Sequence, residues 1–298
     1  MEFAQRMETD RLLVEARLAQ CFPGDGLAEA MRYSLLAGGK RIRPLLAMEF
    51  CAAAGGKPED ALDFGCGVEM LHTYSLIHDD LPCMDDDDLR RGKPTNHKVF
   101  GECMATLAGD ALQAAAFQTV LSAPGPDTAA WQSARAAAGL LLAESAGLPG
   151  MCGGQYLDTV GDGQPHTAEE LTAINDKKTG ALLRAACGMG VLAAAGLGEV
   201  DGRCLDAAKA YATNLGLAFQ IRDDMLDVMG DQAEFGKPIG SDASHEKTTY
   251  VTLLGLAACE DLVLDYTKKA QAALDGAPWP GGADFLRQLA GALAQRRK

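Results

Sequence analysis

In the stretch GLAFQIRDDMLDVMGD, residues 216–231, three aspartates stand in helical phase among apolar side chains. Asp223 and Asp227 are four positions apart, so a helix sets both carboxylates on one face, about 6 Å apart along its axis. Asp224 flanks them. Phe219, Ile221, Met225, Leu226 and Val228 interleave with the acids, which makes this a largely buried helix. Buried carboxylates are costly unless they are paired or hold a metal. These acids must line something wet, so the chain needs a fold with a polar interior space.

The remaining sequence reads as helix after helix. Its 298 residues are 48% hydrophobic and only 6% aromatic, and no sustained period-two runs of Val, Ile and Thr announce a sheet. Small residues and prolines mark breaks at 22–26, 55–58, 122–127, 161–166 and 276–282. Thr167 followed by Glu170 forms a capping box that opens the alanine-rich segment 167–196, which reads as one buried helix. No break is long or polar enough for a domain linker. The expectation is a single all-α domain over 1–298.

Composition also narrows the setting. A net charge of −14 disfavours nucleic acid and anionic membrane surfaces as partners, and it repels an anionic substrate unless a cation intervenes. The nine cysteines are scattered and form no C-x-x-C pair, the pattern of reduced thiols in a cytoplasmic protein. The N-terminal stretch lacks the layout of a signal peptide. The longest uncharged runs, 111–126 and 185–198, fall short of the ~18 apolar residues of a spanning helix, so no membrane span is expected.

A second acidic cluster lies in HDDLPCMDDDDLRRGKPTNH, residues 78–97, with six aspartates within ten positions. The preceding VEMLHTYSLI has helical spacing, which places Asp79 and Asp80 at or near a helix end. Pro82 cannot sit inside that helix without removing a hydrogen bond and clashing with the turn before it. On a regular helix Asp85 would point about 240° away from Asp79. A two-residue bulge at Leu81–Met84 would return it to the same face. Asp86–Asp88 alone read as a solvated acidic run. Together the two clusters offer hard oxygen ligands of the kind Mg²⁺ takes in small number, completing its shell with water and phosphate.

Four basic segments accompany the acids: GGKRIRP (38–44), RRGKP (90–94), DKKTG (176–180) and FGKPIGSDASHEKTT (235–249). They supply Lys40, Arg43, Arg90, Arg91, Lys178, Lys237 and Lys247, enough cationic groups for two diphosphates.

These motifs, with MCGGQYLD (151–158) and in this order, resemble the short-chain trans-prenyltransferases, the isoprenyl diphosphate synthases, and among them most closely the bacterial-type farnesyl diphosphate synthases. The resemblance spans roughly residues 30–250. It implies the isoprenoid synthase fold, long helices around a central substrate cavity, in a homodimer. It also implies that Asp79, Asp80 and Asp85, with Asp223 and Asp227, bind Mg²⁺. Catalytic roles fall to Asp79, Asp85, Asp223 and Lys178. Lys40, Arg43, His72 and Arg91 match the positions that bind isopentenyl diphosphate. Arg90, Lys178, Thr179, Gln220, Lys237 and Lys247 match those around the allylic diphosphate, dimethylallyl or geranyl.

The implied chemistry is ionisation of the allylic C–O bond and capture of the carbocation by isopentenyl diphosphate in a dry pocket, placed by the sequence around Phe219, Ile77 and Leu71. Tyr74, five positions before the first aspartate, and Ser75 match the positions that limit chain length. A bulky aromatic there implies farnesyl diphosphate as product, with geranylgeranyl diphosphate as the alternative. Two other readings, a non-catalytic partner subunit and a terpene cyclase, fit less well. The first is expected to lose aspartates from one motif, and the second has no use for GGKRIRP.

Overall fold

The computed structural model describes residues 2–160, 166–229 and 248–296. Lys237 and Lys247 lie outside them. Helices run through the chain in the order α1 (Phe3–Ala19), α2 (Leu27–Leu35), α3 (Ile42–Ala53), α4 (Leu62–Asp79), α5 (Asn96–Phe100), α6 (Glu102–Leu121), α7 (Ala129–Ala146), α8 (Met151–Val160), α9 (Ala168–Asn175), α10 (Ala181–Leu197) and α11 (Arg203–Met229). They continue with α12 (Tyr250–Leu254), α13 (Leu256–Ala273) and α14 (Asp284–Ala294). Two two-residue strands, Leu89–Arg90 and Lys93–Pro94, form an antiparallel hairpin, the only sheet among the described residues.

The core is built on small residues. Helix α10 packs against α3, α4, α7 and α11, and Gly190 and Gly196 let it approach closely. A Cβ on Gly190 would run into the Ala47 carbonyl of α3, and one on Gly196 would sit 2.8 Å from Ala134 Cβ of α7. Across the bundle, Gly67 of α4 lets the Val120 side chain of α6 approach to where a Cβ would be 2.5 Å away. Helices without side chains at the crossing come nearer together, which lets a chain poor in aromatics still pack densely.

The expected single helix over 167–196 is present with one modification. The Thr167–Glu170 capping box opens α9, and between α9 and α10 the residues Asp176–Gly180 form a π-helical turn. One extra residue in the turn rotates the side chains there relative to a regular helix, a device common at functional sites. The stretch Ala168–Leu197 is long and apolar enough, by length and composition, to cross a membrane, and 78% of its most apolar window is buried inside the fold. It exceeds the uncharged runs read from sequence because the helix continues through the charged DKKTG turn.

The expected bulge after Asp79 takes a different form. Helix α4 stops at Asp79, three residues before Pro82, and the chain turns back on itself. The Asp85 amide donates to the Asp79 carbonyl at 2.8 Å and the Asp86 amide to the Leu81 carbonyl at 3.1 Å. Asp86 takes a left-handed conformation, φ 51°, at the end of this turn. The backbone returns Asp85 to Asp79 by ending the helix, since proline cannot be carried inside a bulged one.

One buried carboxylate pair ties α1 to α3. Arg6 donates its Nε to Glu49 at 2.6 Å, and Glu49 is almost wholly buried beside Asp10. Burial first, and then the hydrogen bond with Asp10, push Glu49 up to about 8, against the pull of Arg6. The folded state therefore holds a proton that the unfolded state, with an ordinary carboxylate near 4.3, releases. Between about pH 4.5 and 8 the native state binds more protons, so stability falls as pH rises through that window. Thermal melts from pH 5 to pH 8 should show a declining midpoint, and Glu49→Gln should flatten the decline; an unchanged slope in the variant would refute the assignment.

Candidate active site

Two chambers open on either side of α4. The first, about 410 Å³, is lined by Tyr74, Ser75, His78 and Asp79 of α4, Leu81, Cys83 and Met84 of the turn, and Met151, Cys152 and Gln155 of α8, with Lys178 and Thr179 of the π turn. The second, about 400 Å³, is lined by Lys40, Arg41 and Arg43, Glu69 and His72, Arg91, Leu183, Phe219 and Asp223. Arg43 and His72 line both, so the chambers meet at these two side chains. A smaller space of about 140 Å³ joins Asp158, Lys178, Thr179, Gln220 and Asp224.

The π turn delivers Lys178 into the first chamber, where its ammonium pairs with Asp158 of α8 at 2.6 Å. Thr179 donates to Gln220 Oε1 at 3.3 Å, and Gln220 donates to Asp224 at 3.0 Å. Asp224 also accepts the Tyr250 amide at 2.9 Å. Of the second aspartate cluster, then, Asp223 faces the second chamber and Asp224 the small one. Asp227 is buried and lines none of these three spaces.

Asp79, the last residue of α4, and Asp80, which caps it in helical conformation, diverge by about the 100° step of the helix. Asp79 faces the first chamber, and Asp80 is buried on the other side in an ion pair with Arg90 at 2.5 Å. Burial raises the pKa of Asp79; Lys178 opposes this and the neighbouring Asp85 carboxylate adds to it. Burial likewise raises Asp223, with Arg296, Lys40 and Arg43 pulling it back. Among the described residues, no three His, Cys, Asp or Glu side chains form a ready-made metal cluster.

The basic side chains of the second chamber are set by local backbone. Arg91 and Gly92, φ 53° and 74°, are the two-residue loop of the hairpin, both left-handed as a type I′ turn demands. The turn sends the Arg91 guanidinium back onto the Gly38 carbonyl and across Gly39, where a Cβ would lie 3.0 Å from its Cζ. Arg43 is half-buried, its Nε shut off from solvent and lacking a hydrogen-bond partner among the described residues. Burial lowers the pKa of Arg43 and of Arg91. His72 is lowered well below its ordinary value by burial and then by Arg43, Arg91, Arg90 and Arg41, so its imidazole is neutral.

Some expectations land elsewhere. Leu71 is fully buried in the core and lines neither chamber, and Ile77 lines a small cleft beside Asp80. Phe219 does face the second chamber. Sequence reading missed Arg296, whose guanidinium donates to Asp223 at 2.6 Å and lies 3.8 Å over the Phe219 ring. The Arg296 carbonyl is held by Arg222. No periodicity links a residue after α14 to one 73 positions earlier, so no sequence signal marked it.

Residues 25–274 match the family model described as polyprenyl synthetase. The chain belongs to the polyprenyl synthetase family. It is 48% identical to a farnesyl diphosphate synthase of Geobacillus stearothermophilus, covering 86% of this chain and 84% of that one. A chloroplastic geranylgeranyl pyrophosphate synthase of Capsicum annuum is 44% identical, over 87% of this chain and 70% of that one. A geranyltransferase of Helicobacter pylori, solved with magnesium and isoprenyl diphosphate, superposes with a TM-score of 0.87 at 30% identity, each chain covered to 99%. The all-α isoprenoid synthase fold expected from the motifs is thus the fold of this family member.

Within this polyprenyl synthetase, Gly154 of α8 is where the π turn is seated. A Cβ there would lie 2.7 Å from Lys178 Cα, with the backbone nitrogen nearer still. Backbone cannot yield as a side-chain tip can, so Gly154→Ala should destabilise by about 1–3 kcal/mol in urea melts. Gly202→Ala, with nothing within 4 Å, should be close to neutral. Equal effects at the two sites would disprove the seating.

Proposed function

We propose that this protein condenses isopentenyl diphosphate with dimethylallyl and then geranyl diphosphate to give farnesyl diphosphate. The observation that carries the reading is the pair of chambers meeting at Arg43 and His72. Two chambers with cationic walls suit two diphosphate substrates; a one-substrate cyclase would need only the first. The second chamber, with Lys40, Arg43 and Arg91, takes isopentenyl diphosphate. The first takes the allylic substrate, its diphosphate toward Asp79, Lys178, Thr179 and Gln220 and its tail toward Tyr74. We place Lys237 and Lys247 with that diphosphate on the motif alone. The protein acts as a cytoplasmic homodimer on this reading.

The donor set fits Mg²⁺. Asp79 and Asp85 repel one another at close range, and such a pair with few other ligands matches an ion that keeps water and substrate phosphate in its shell. Asp79 and Asp85 would hold such ions and Asp223 a further one, and they would neutralise charge on the departing diphosphate. We assign Asp80 to holding Arg90 and Asp227 to supporting the acidic face of α11. The chain's own residues do the rest. Lys178 leaves Asp158 to meet the leaving group, and a cation there stabilises the charge as it develops. Neutral His72 adds no positive charge beside the carbocation. Leu81, Met84 and Met151 keep water from it.

Turnover should require a divalent cation. Asp79→Ala and Asp223→Ala should each cost several orders of magnitude, at least ~3 kcal/mol by analogy with losing one preorganised group. Near-normal rates in either variant would remove the metal assignment. Arg43→Ala and Arg91→Ala should mainly raise KM for isopentenyl diphosphate, whereas Lys178→Ala should depress kcat. If both classes shift the same parameter, the division into two sites is wrong. Labelled isopentenyl diphosphate with dimethylallyl diphosphate tests the reaction itself. Tyr74→Ala should lengthen the product to geranylgeranyl diphosphate or beyond, and wild-type protein already making that product would favour the geranylgeranyl alternative.

A further inference from the structure

Helices α4 and α8 meet at the wall of the first chamber. Tyr74 reaches across from α4, and its hydroxyl lies 3.1 Å from Cys152 Sγ on α8. Behind the ring stands His78, edge-on at 5.2 Å and 89°. His78 is itself fixed: its Nε2 lies 3.0 Å from the Thr106 carbonyl, and it occupies the space where a Cβ on Gly109 would sit. Ser75 turns its hydroxyl back to the His72 carbonyl at 2.9 Å. The tyrosine ring is thus held at its root by α4, along one edge by His78, and at its tip by the thiol.

We propose that Cys152 is a specificity-determining residue, the rest against which Tyr74 closes the tail chamber. This deepens the function proposed above and rests on it. A long aromatic side chain blocks a tunnel only while its χ1 keeps it across the bore. Cys152 is the hydrogen-bond partner of the Tyr74 hydroxyl among the described residues, so this contact bears on whether the ring stays across or swings along α4. The thiol is also compact and lines the chamber itself, so its size sets how much of the end is filled. Cys152 is exposed rather than packed in the core, which leaves room to enlarge it without disturbing the bundle.

Opposite substitutions should therefore move product length in opposite directions. Cys152→Phe fills the end of the chamber and should raise the share of geranyl over farnesyl diphosphate at least tenfold. Cys152→Ala removes the rest and should add geranylgeranyl diphosphate to the products. Cys152→Ser keeps both size and a polar contact with the Tyr74 hydroxyl and should retain the wild-type distribution. The first condensation, with a five-carbon tail that stops short of the end, should proceed at the wild-type rate in all three. A purely structural role would depress that rate together with the melting temperature and leave product length alone. Should Cys152→Phe fold poorly, Cys152→Leu carries the same expectation with a smaller shift.

Wild-type protein and the variants are assayed together, with products separated by chain length. Wild-type protein that forms no prenyl diphosphate overturns the proposed function. Wild-type protein that makes farnesyl diphosphate while the Phe, Leu and Ala variants give the same products overturns the role of Cys152 alone. Opposite shifts with an intact first condensation establish it.

Discussion

Arg41 is the interaction on which the site depends. Its guanidinium is fully buried and donates to Glu15 of α1 at 2.8 Å, to Glu69 of α4 at 2.7 Å and to the Leu35 carbonyl of α2 at 2.7 Å. Removing one partner of such a buried pair typically costs 3–5 kcal/mol, because the remaining charge is left without compensation. The three bonds fix where α3 begins relative to α4. Arg41 takes a left-handed conformation, φ 52°, to make them. Lys40 and Arg43, on either side of it in sequence, then have no choice but to enter the second chamber. One structural arginine in GGKRIRP thereby aims the two cationic neighbours beside it.

Helix α4 distributes the other groups. Within its last three turns it presents Glu69 and His72 to the second chamber, Tyr74, Ser75, His78 and Asp79 to the first, and Thr73, Ile77 and Asp80 to the cleft beside the hairpin. A helix advances 100° per residue, so adjacent positions serve different spaces. The cost of this economy is that α4 has no solvent face to spare near its end; its neighbours must be held close without filling the chambers. Glycines at the crossings of α4 with α3 and α6, and of α10 with α3 and α7, supply that closeness on the sides away from the site.

Much of this was legible in the sequence, and what was not has a common cause. The all-α fold, most of the helix breaks and the capping box at Thr167 follow from spacing within a few residues. So does the return of Asp85 to Asp79, although proline made it a stop and not a bulge. Which carboxylate of a pair faces which space was not legible: Asp79 against Asp80 and Asp224 against Asp227 are resolved by Arg90 and Tyr250, partners brought by other elements. The same holds for Arg296 on Asp223, and for Cys152 under Tyr74, 78 residues apart. Local pattern announces that an acid or an aromatic is present. Only packing across the bundle decides what it meets.

The charge distribution acquires its sense from this geometry. A chain with a net charge of −14 repels a diphosphate at long range, yet at physiological ionic strength that repulsion is screened beyond about 8 Å. Inside the chambers the nearest charges dominate, and there the guanidiniums of Arg43 and Arg91 are buried deeply enough to be lowered in pKa. Cations held in that condition are stabilised by any anion that enters, while the raised carboxyls of Asp79 and Asp223 are stabilised by any cation. Asp223 already pairs with Arg296 and feels Lys40 and Arg43 in the second chamber, while Lys178 pairs with Asp158 in the first. On the function proposed above, the guanidiniums of the second chamber suit a diphosphate directly, and the carboxylates of the first suit one that carries a divalent ion. The net charge of the chain thus says little about its interior, where charges a few ångströms apart interact far more strongly than those across the surface.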